Sequence, residues 1–234
     1  LHPVAHSFPT RRSSDLCSLP PNPPDTPVYD AVAQRQISYD AHVFGNHEFD
    51  FSPDFLERFI LGFRINGILT QPFLSANLDF SLEPGFFDLI DADGLLPGYS
   101  TDGMVVAQSA IVIDKVTGQR FGVVGATTSA LPTISSPRDV IVTSDDLAST
   151  AAVVQAQINR LMKWPYRINR IIFVSHLQNL ENDRDLIRLM RGVDLAVAGG
   201  GDELLASSAL PIADQLLPGE TAQVAGNYPL AESD

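Results

Sequence analysis

The chain has 234 residues and a mass of 25.3 kDa, which fits one sizeable α/β domain or two small ones. Its formal net charge of −13 argues against a general nucleic-acid binder, because neutralising phosphates requires a surplus of Lys and Arg. No apolar run approaches the ~18–20 residues of a membrane span, and a single cysteine, Cys17, excludes an internal disulfide and a cysteine-based zinc site.

The first 16 residues look foreign to the rest of the chain. They hold no apolar core and no small-residue cleavage site, so they do not form a signal peptide. The string from His6 to Leu16 is identical to one reading frame of a common sequencing-adapter oligonucleotide. We therefore interpret residues 1–16 as a non-native segment and expect the native N-terminal part to be missing. Residues 17–27 are interpreted as a Pro-rich, extended lead-in.

Helical and strand-like segments alternate after the lead-in. The predicted elements of the first half are a helix (28–38), a strand (40–44), a helix (52–65), a strand (73–77), a long surface excursion (81–100) and a hairpin (108–114 with 120–125). The clearest helix follows Asp145 and Asp146, where the helix dipole favours acidic residues, and it ends at Pro165. A strand (170–175), a helix (181–191) and a strand (193–198) follow it. This alternation predicts a layered α/β domain.

The most informative string is YDAHVFGNHEFDF at residues 39–51. A short strand here runs out into a polar turn, and α/β proteins tend to place their sites at strand ends. Gly-Asn-His alone would indicate only a polar turn with one histidine. The whole string, GNHEFD preceded by YDAHVF, resembles the metal-binding signature of calcineurin-like metallophosphoesterases, specifically their 5′-nucleotidase branch. LSANLDF, RIIFVSHLQN and DLAVAGGGDELL resemble that branch's later segments.

The resemblance implies a layered β-sandwich flanked by helices, here incomplete, with residues 28–234 as a partial catalytic domain. It implies hydrolysis of phosphate monoesters, with a nucleotide as the small-molecule substrate. Two divalent ions are implied, and Mn, Zn, Mg and Ca are not distinguished. It also implies a periplasmic or extracellular location, although no signal segment is present in the chain.

Individual residues receive roles partly from this resemblance and partly from chemistry. The resemblance makes Asn46 and His176 metal ligands and His47 the catalytic, non-ligand histidine. Ester hydrolysis also needs a proton for the leaving oxygen, which His47 can supply. Glu48 is suited to accept a hydrogen bond from His47 and so orient it. Asp50 is expected to cap the following helix instead.

The turn Gly199-Gly200-Gly201-Asp202 departs from the family, which has Gly-His-x-His there. Gly200 and Asp202 stand where the two histidines belong, so Asp202 becomes a further candidate metal ligand. This predicts weaker binding, or a shift from zinc-like towards manganese-, magnesium- or calcium-like ions. The alternative is a tight turn in which Asp202 caps the next helix.

Other expected parts of the family pattern are missing from the chain. The family begins with an Asp-x-His strand and a Gly-Asp that bridges the metals, and neither appears upstream of Tyr29. The C-terminal substrate domain is absent as well, so the chain as given is expected to be inactive. The departures at Gly200 and Asp202 keep an alternative open: a non-catalytic nucleotide- or ligand-binding protein on the same fold. His42 is expected to be a buried, satisfied histidine. Seven of the 15 basic residues lie between Arg160 and Arg191 and are interpreted as solvated helix faces.

Overall fold

The structure, a computed structural model, describes residues 5–6, 28–37, 39–66, 68–69, 71–96, 98, 103–201, 203–207, 209, 211 and 224–231. Asp202 and most of residues 1–27 lie outside these ranges, so the predictions for them stay predictions. The helices are α1 (Tyr29–Gln34), α2 (Pro53–Leu61), α3 (Leu131–Ile134), α4 (Leu147–Met162) and α5 (Leu180–Arg188). The strands are β1 (Ala5–His6), β2 (His42–Val43), β3 (Phe73–Leu74), β4 (Leu78–Asp79), β5 (Leu95–Leu96), β6 (Val106–Ala107), β7 (Ser109–Ile113), β8 (Arg120–Thr127), β9 (Ile141–Val142), β10 (Ile171–His176), β11 (Leu195–Gly199), β12 (Leu204–Ala206) and β13 (Val224–Asn227).

Two sheets pack face to face. The first has the order β1-β2-β3-β6 with parallel neighbours, and the second has the order β11-β10-β8-β7-β5. In the second sheet only the β7–β8 pair is antiparallel. Buried apolar side chains from both sheets, among them Val43, Val123 and Val174, fill the layer between them. The approach is close at Gly125, where an added Cβ would lie 2.8 Å from the carbonyl oxygen of Leu74.

Helices cover the outer faces of this sandwich. Leu56, Phe59 and Ile60 of α2 pack with buried phenylalanines of the first sheet, while α4 and α5 cover the second. The start of α4 matches the prediction and has a capping box, because Asp146 Oδ1 accepts from Ser149 N at 2.7 Å and Ser149 Oγ accepts from Asp146 N at 3.0 Å. The predicted layered β-sandwich flanked by helices is confirmed.

The structure differs from the prediction where strands are short. β5 lies inside the stretch 81–100, which the sequence predicts as a surface excursion, and it pairs in parallel with β7 at the edge of the second sheet. A two-residue strand shows no alternation of polar and apolar residues that sequence reasoning could detect. The predicted hairpin is confirmed as β7 and β8. Within the described residues, no helix is both long and apolar enough to cross a bilayer.

Candidate active site

The polar turn after β2 is anchored at both ends by aromatic side chains. Phe44 and Phe49 are fully buried, with ring centroids 6.1 Å apart, in the core beneath α2. The residues between them begin a short 3-10 helix, His47–Phe49. This anchoring fixes Asn46 and His47 at the rim of the sandwich, where the carboxyl ends of the parallel strands meet.

Asn46 and His176 come together at this rim from different sheets. Asn46 Oδ1 lies 2.8 Å from His176 Nε2 and accepts a second hydrogen bond from Gln178 Nε2 at 2.7 Å. Both are nearly inaccessible to solvent, with exposed fractions of 5% for Asn46 and 7% for His176. The two predicted metal ligands, 130 residues apart in the chain, are therefore in direct contact.

The His176 ring is held between two glycines. A Cβ on Gly45 would lie 2.6 Å from His176 Nδ1, and a Cβ on Gly200 would lie 2.7 Å from His176 Nε2. Gly200 also has a φ of +87°, a backbone conformation that L-residues with side chains rarely adopt. Position 200 therefore leaves no room for the histidine expected there from the family pattern while His176 keeps its place.

His47 is oriented by Asp50, which corrects the role predicted for Glu48. His47 Nδ1 lies 2.8 Å from Asp50 Oδ2, and the carboxylate only accepts, so Nδ1 carries the proton. Ser135 Oγ donates to the other oxygen, Asp50 Oδ1, at 2.9 Å. The predicted cap of α2 by Asp50 is wrong, because Ser52 occupies the N-cap position. His47 itself is half exposed.

Glu48 faces inward instead. Its Oε2 accepts from Gly45 N at 2.6 Å, a contact that closes the turn around Asn46. Burial raises the pKa of Glu48 to about 7, although the Gly45 N–H opposes that rise. The physical reason for the wrong prediction is geometric: along a 3-10 helix, residues three apart share a face and adjacent residues do not.

A buried polar network supports the turn from below, and sequence reasoning gave its members no role. Thr127 Oγ1 donates to the carbonyl of Phe44 at 2.8 Å. Asn77 and Thr127 exchange two further bonds, from Asn77 Nδ2 to Thr127 O at 2.7 Å and from Thr127 N to Asn77 Oδ1 at 2.9 Å. Ser75 Oγ contacts both side chains. The available signal was a pair of polar residues, Ser75 and Asn77, directly after the apolar strand Phe73–Leu74.

A second support lies behind His176. Ser175 Oγ donates to Asp183 Oδ1 at 2.5 Å, which ties α5 to β10. Burial raises the pKa of Asp183 to about 6, and the nearby charge of Glu203 acts in the same direction. Asn179 caps α5 by accepting from Asn182 N at 2.8 Å. The strand end that carries His176 is thus fixed from the helix side as well.

His42 is fully buried, as expected, but only one of its nitrogens has a partner. Nε2 lies 3.0 Å from Gln71 Oε1, whereas Nδ1 has no hydrogen-bond partner in the described part of the chain. The ring stacks on Phe73 at 4.6 Å and meets Tyr39 and Phe63 edge-on. Burial lowers the pKa of His42 to about 4, so this histidine is neutral at pH 7.

The donor set of the site matches a divalent metal only in part. Asn46 offers an amide oxygen and His176 an imidazole nitrogen, both of which are metal ligands in proteins. Across the ranges that the structure describes, no group of three or more His, Cys, Asp or Glu side chains is arranged to hold a metal ion. Asp202, the third predicted ligand, lies outside those ranges.

Comparisons of sequence and of structure give a consistent result. No family model matches the chain. A 5′-nucleotidase of Diplobatis ommata is 31% identical over 179 residues, or 76% of this chain and 26% of that protein. The trifunctional nucleotide phosphoesterase protein YfkN of Bacillus subtilis is 28% identical over 183 residues, or 73% of this chain and 12% of that protein.

Among solved structures, a 5′-nucleotidase precursor from Thermus thermophilus is similar with a TM-score of 0.63 at 28% identity, covering 86% of this chain and 32% of that one. These neighbours point to the 5′-nucleotidase and calcineurin-like phosphoesterase family, so the resemblance predicted from the sequence is confirmed. The chain spans only 12% to 32% of the length of these neighbours.

Proposed function

We propose that this chain is part of the catalytic domain of a metal-dependent phosphoesterase that hydrolyses phosphate monoesters of nucleotides. One observation carries the proposal: the Asn46–His176 contact lies beside the His47–Asp50 pair at one rim of the fold. The sequence neighbours, named as nucleotide phosphoesterase and 5′-nucleotidase, support the same substrate class.

The proposed role of His47 is to protonate the leaving oxygen. Its Nδ1–H is donated to Asp50, which fixes the ring and stabilises the imidazolium. The second nitrogen, Nε2, then holds the proton that is transferred. Because Ser135 donates to the far oxygen of Asp50, the carboxylate itself is restrained. Glu48 keeps the turn closed and takes no part in the transfer.

Asn46 and His176 would hold the metal, and Asp202 would be a further ligand. A bound divalent ion supplies charge neutralisation at the phosphoryl oxygens and an activated water. The network of Asn77 and Thr127 under Phe44 keeps Asn46 in place, and the Ser175–Asp183 bond does the same for His176. Two ions are proposed, by family resemblance.

Metal binding is tested directly on the chain. Isothermal titration with Mn²⁺ is expected to show binding that drops at least ~10-fold for Asn46→Ala and for His176→Ala, because each removes a ligand. Gln178→Ala is the matched control, since it removes a donor to Asn46 and no ligand. Equal affinities for all four proteins would contradict the ligand assignment.

Activity is tested on the full-length protein that contains this chain, since inactivity of the chain by itself is part of the proposal. Adding Mn²⁺ or Zn²⁺ is expected to give phosphate release from a nucleoside monophosphate, and a chelator is expected to abolish it. No release with several metals and several nucleotides would overturn the proposed reaction. The proposed location, periplasm or cell exterior, is checked by fractionating cells that express this protein.

One structural observation favours the alternative of a non-catalytic binding protein. Gly200 packs on the His176 ring where the family pattern has a histidine, so one expected ligand is replaced by a glycine. Stoichiometric nucleotide binding by the full-length protein, with no bound metal and no turnover, would establish this alternative and exclude the phosphoesterase.

A further inference from the structure

We propose that the end of the second sheet opposite the candidate active site, where β8 and β10 begin, docks on an anionic lipid bilayer. The docking surface, here called the basal surface, consists of residues 114–120 and 162–170. The first segment is the turn of the β7–β8 hairpin, and the second connects α4 to β10. This inference does not depend on the proposed function.

The two segments of the basal surface lie side by side. Arg120 Nη1 donates to the carbonyl of Tyr166 at 3.1 Å, and Gly122 N donates to the carbonyl of Arg170 at 2.9 Å. An open groove of about 430 Å³ runs between them. Strands β8 and β10 begin here and end at the opposite rim, which carries His176.

The basal surface is basic although the chain is acidic. It holds five basic side chains, all exposed, and a single acidic one, so its formal charge is +4 against −13 for the whole chain. Asp114, the acidic residue, directs Oδ1 at the backbone N–H groups of Val116 and Thr117 at 2.9 and 2.8 Å. The basic residues include both lysines of the chain and are Lys115, Arg120, Lys163, Arg167 and Arg170.

Large apolar side chains project among these charges. Val116 is 95% exposed at the tip of the hairpin, Trp164 is 77% exposed, and Met162 is 46% exposed. A basic surface could also bind a polyanion dissolved in water. Such a partner would offer no apolar environment to the exposed valine and the exposed tryptophan. A bilayer surface does, since tryptophan favours the headgroup level and anionic lipids attract nearby Lys and Arg. The combination of charge and apolar tips therefore favours a lipid surface.

Docking in this orientation points the candidate active site away from the bilayer. Asn46 and His176 lie at the carboxyl ends of their strands, whereas the basal surface lies at the amino ends of β8 and β10. A water-soluble substrate would then reach the site from the aqueous side while the protein stays on the membrane.

The chain contains one tryptophan, so the emission of Trp164 reports on this surface alone. With vesicles of 70:30 phosphatidylcholine and phosphatidylserine at low salt, we expect a blue shift and quenching by brominated acyl chains. Raising the salt should reverse both changes, because screening shortens the range of the attraction. Unchanged emission, or equal shifts with pure phosphatidylcholine vesicles, would overturn the proposal.

Charge reversal supplies the second arm of the experiment. The double variant Lys163→Glu, Arg167→Glu is expected to lower vesicle partitioning at least ~10-fold in a sedimentation assay. The matched control is Arg64→Glu, Arg184→Glu, which makes the same change in net charge outside the basal surface. An equal loss in both doubles would show that net charge alone is at work and would overturn the proposal. Displacement of the vesicles by inorganic phosphate at equal ionic strength would overturn it too, since it would indicate a small-anion site.

Discussion

His47 Nδ1 lies 2.8 Å from Asp50 Oδ2, three residues further along the chain, while Glu48 turns inward to Gly45 N at 2.6 Å. Asp50 and Glu48, two acidic residues in the same short string, therefore have different roles. Asp50 shares a face with His47 and determines which ring nitrogen is protonated. Glu48 is buried and holds the backbone turn that presents Asn46.

These two roles predict losses of very different size for two isosteric substitutions in the full-length protein. Asp50→Asn is expected to lower kcat for the proposed hydrolysis of a nucleoside monophosphate by about 10²–10⁴-fold with little change in KM, because the amide no longer stabilises the imidazolium. Glu48→Gln is expected to change kcat far less, since an amide oxygen still accepts from Gly45 N. Steady-state kinetics check both, and a larger loss for Glu48→Gln would restore the role first predicted for Glu48.

The close approach of Gly200 to His176 predicts a steric cost at position 200. Gly200→Ala places a Cβ 2.7 Å from the His176 ring and also forces alanine to a φ of +87°. We expect a loss of about 2–4 kcal/mol in the free energy of unfolding, of which backbone strain accounts for ~1–2 kcal/mol. Urea denaturation followed by circular dichroism measures it.

Gly103→Ala is the matched control for this contact. Gly103 has a φ of +89°, and an added Cβ there would have no atom of the described residues within 4 Å. This variant should lose only the backbone part, roughly 1–2 kcal/mol. If the two variants are equally destabilised, the contact with His176 contributes nothing.

His42 predicts a dependence of stability on pH. Its pKa falls from 6.5 to about 4 on folding, so the unfolded chain binds a proton as the pH drops through 6.5 while the folded chain does not. The contribution of His42 to the free energy of unfolding is fully present above pH 6.5 and declines as the pH falls to about 4. Between pH 7 and pH 5 the loss is about 2 kcal/mol.

Glu48 and Asp183 act in the opposite direction over an overlapping window, because their raised pKa values let the folded state bind the proton more tightly. The His42 contribution is therefore measured as a difference. The free energy of unfolding of wild type minus that of His42→Phe should fall by about 2 kcal/mol from pH 7 to pH 5. A constant difference would show that His42 does not titrate in this window.

The hydroxyl of Thr127 predicts a stability effect at the join between the sheets. Thr127→Val keeps the shape but removes the donor to Phe44 O, so a loss of about 1–3 kcal/mol is expected from thermal or urea unfolding. Thr127→Ser retains the hydroxyl and should lose only ~1 kcal/mol, for the missing methyl. A serine variant as unstable as the valine variant would assign the effect to packing.

The sequence predicts those parts of the fold in which local chemistry is decisive. The start of α4 follows from Asp146 and the spacing of its apolar residues, and both depend on neighbours within a few positions. The strand β5 escapes prediction because its two residues are ordered by pairing with β7 rather than by their own pattern.

The candidate site likewise has residues that local sequence predicts and features that depend on distant contacts. Asn46, His47 and His176 are predicted as site residues from strings of residues, and the structure brings the first and the last of them into contact. The choice between Glu48 and Asp50 depends on side-chain direction in a 3-10 turn, which a string of letters does not contain. The clamp on His176 by Gly45 and Gly200 depends on contacts with residues 131 positions before and 24 positions after the histidine, which no local pattern specifies.

The contact between Asn46 and His176 also bears on the order of events in folding. The first sheet is built from chain before residue 108, and the second, apart from β5, from chain after it. The contact closes a loop of 130 residues, and closing a longer loop costs more entropy, so we expect it to form after each half has its own sheet. Formation of the candidate site should therefore accompany the folding step in which the two sheets dock.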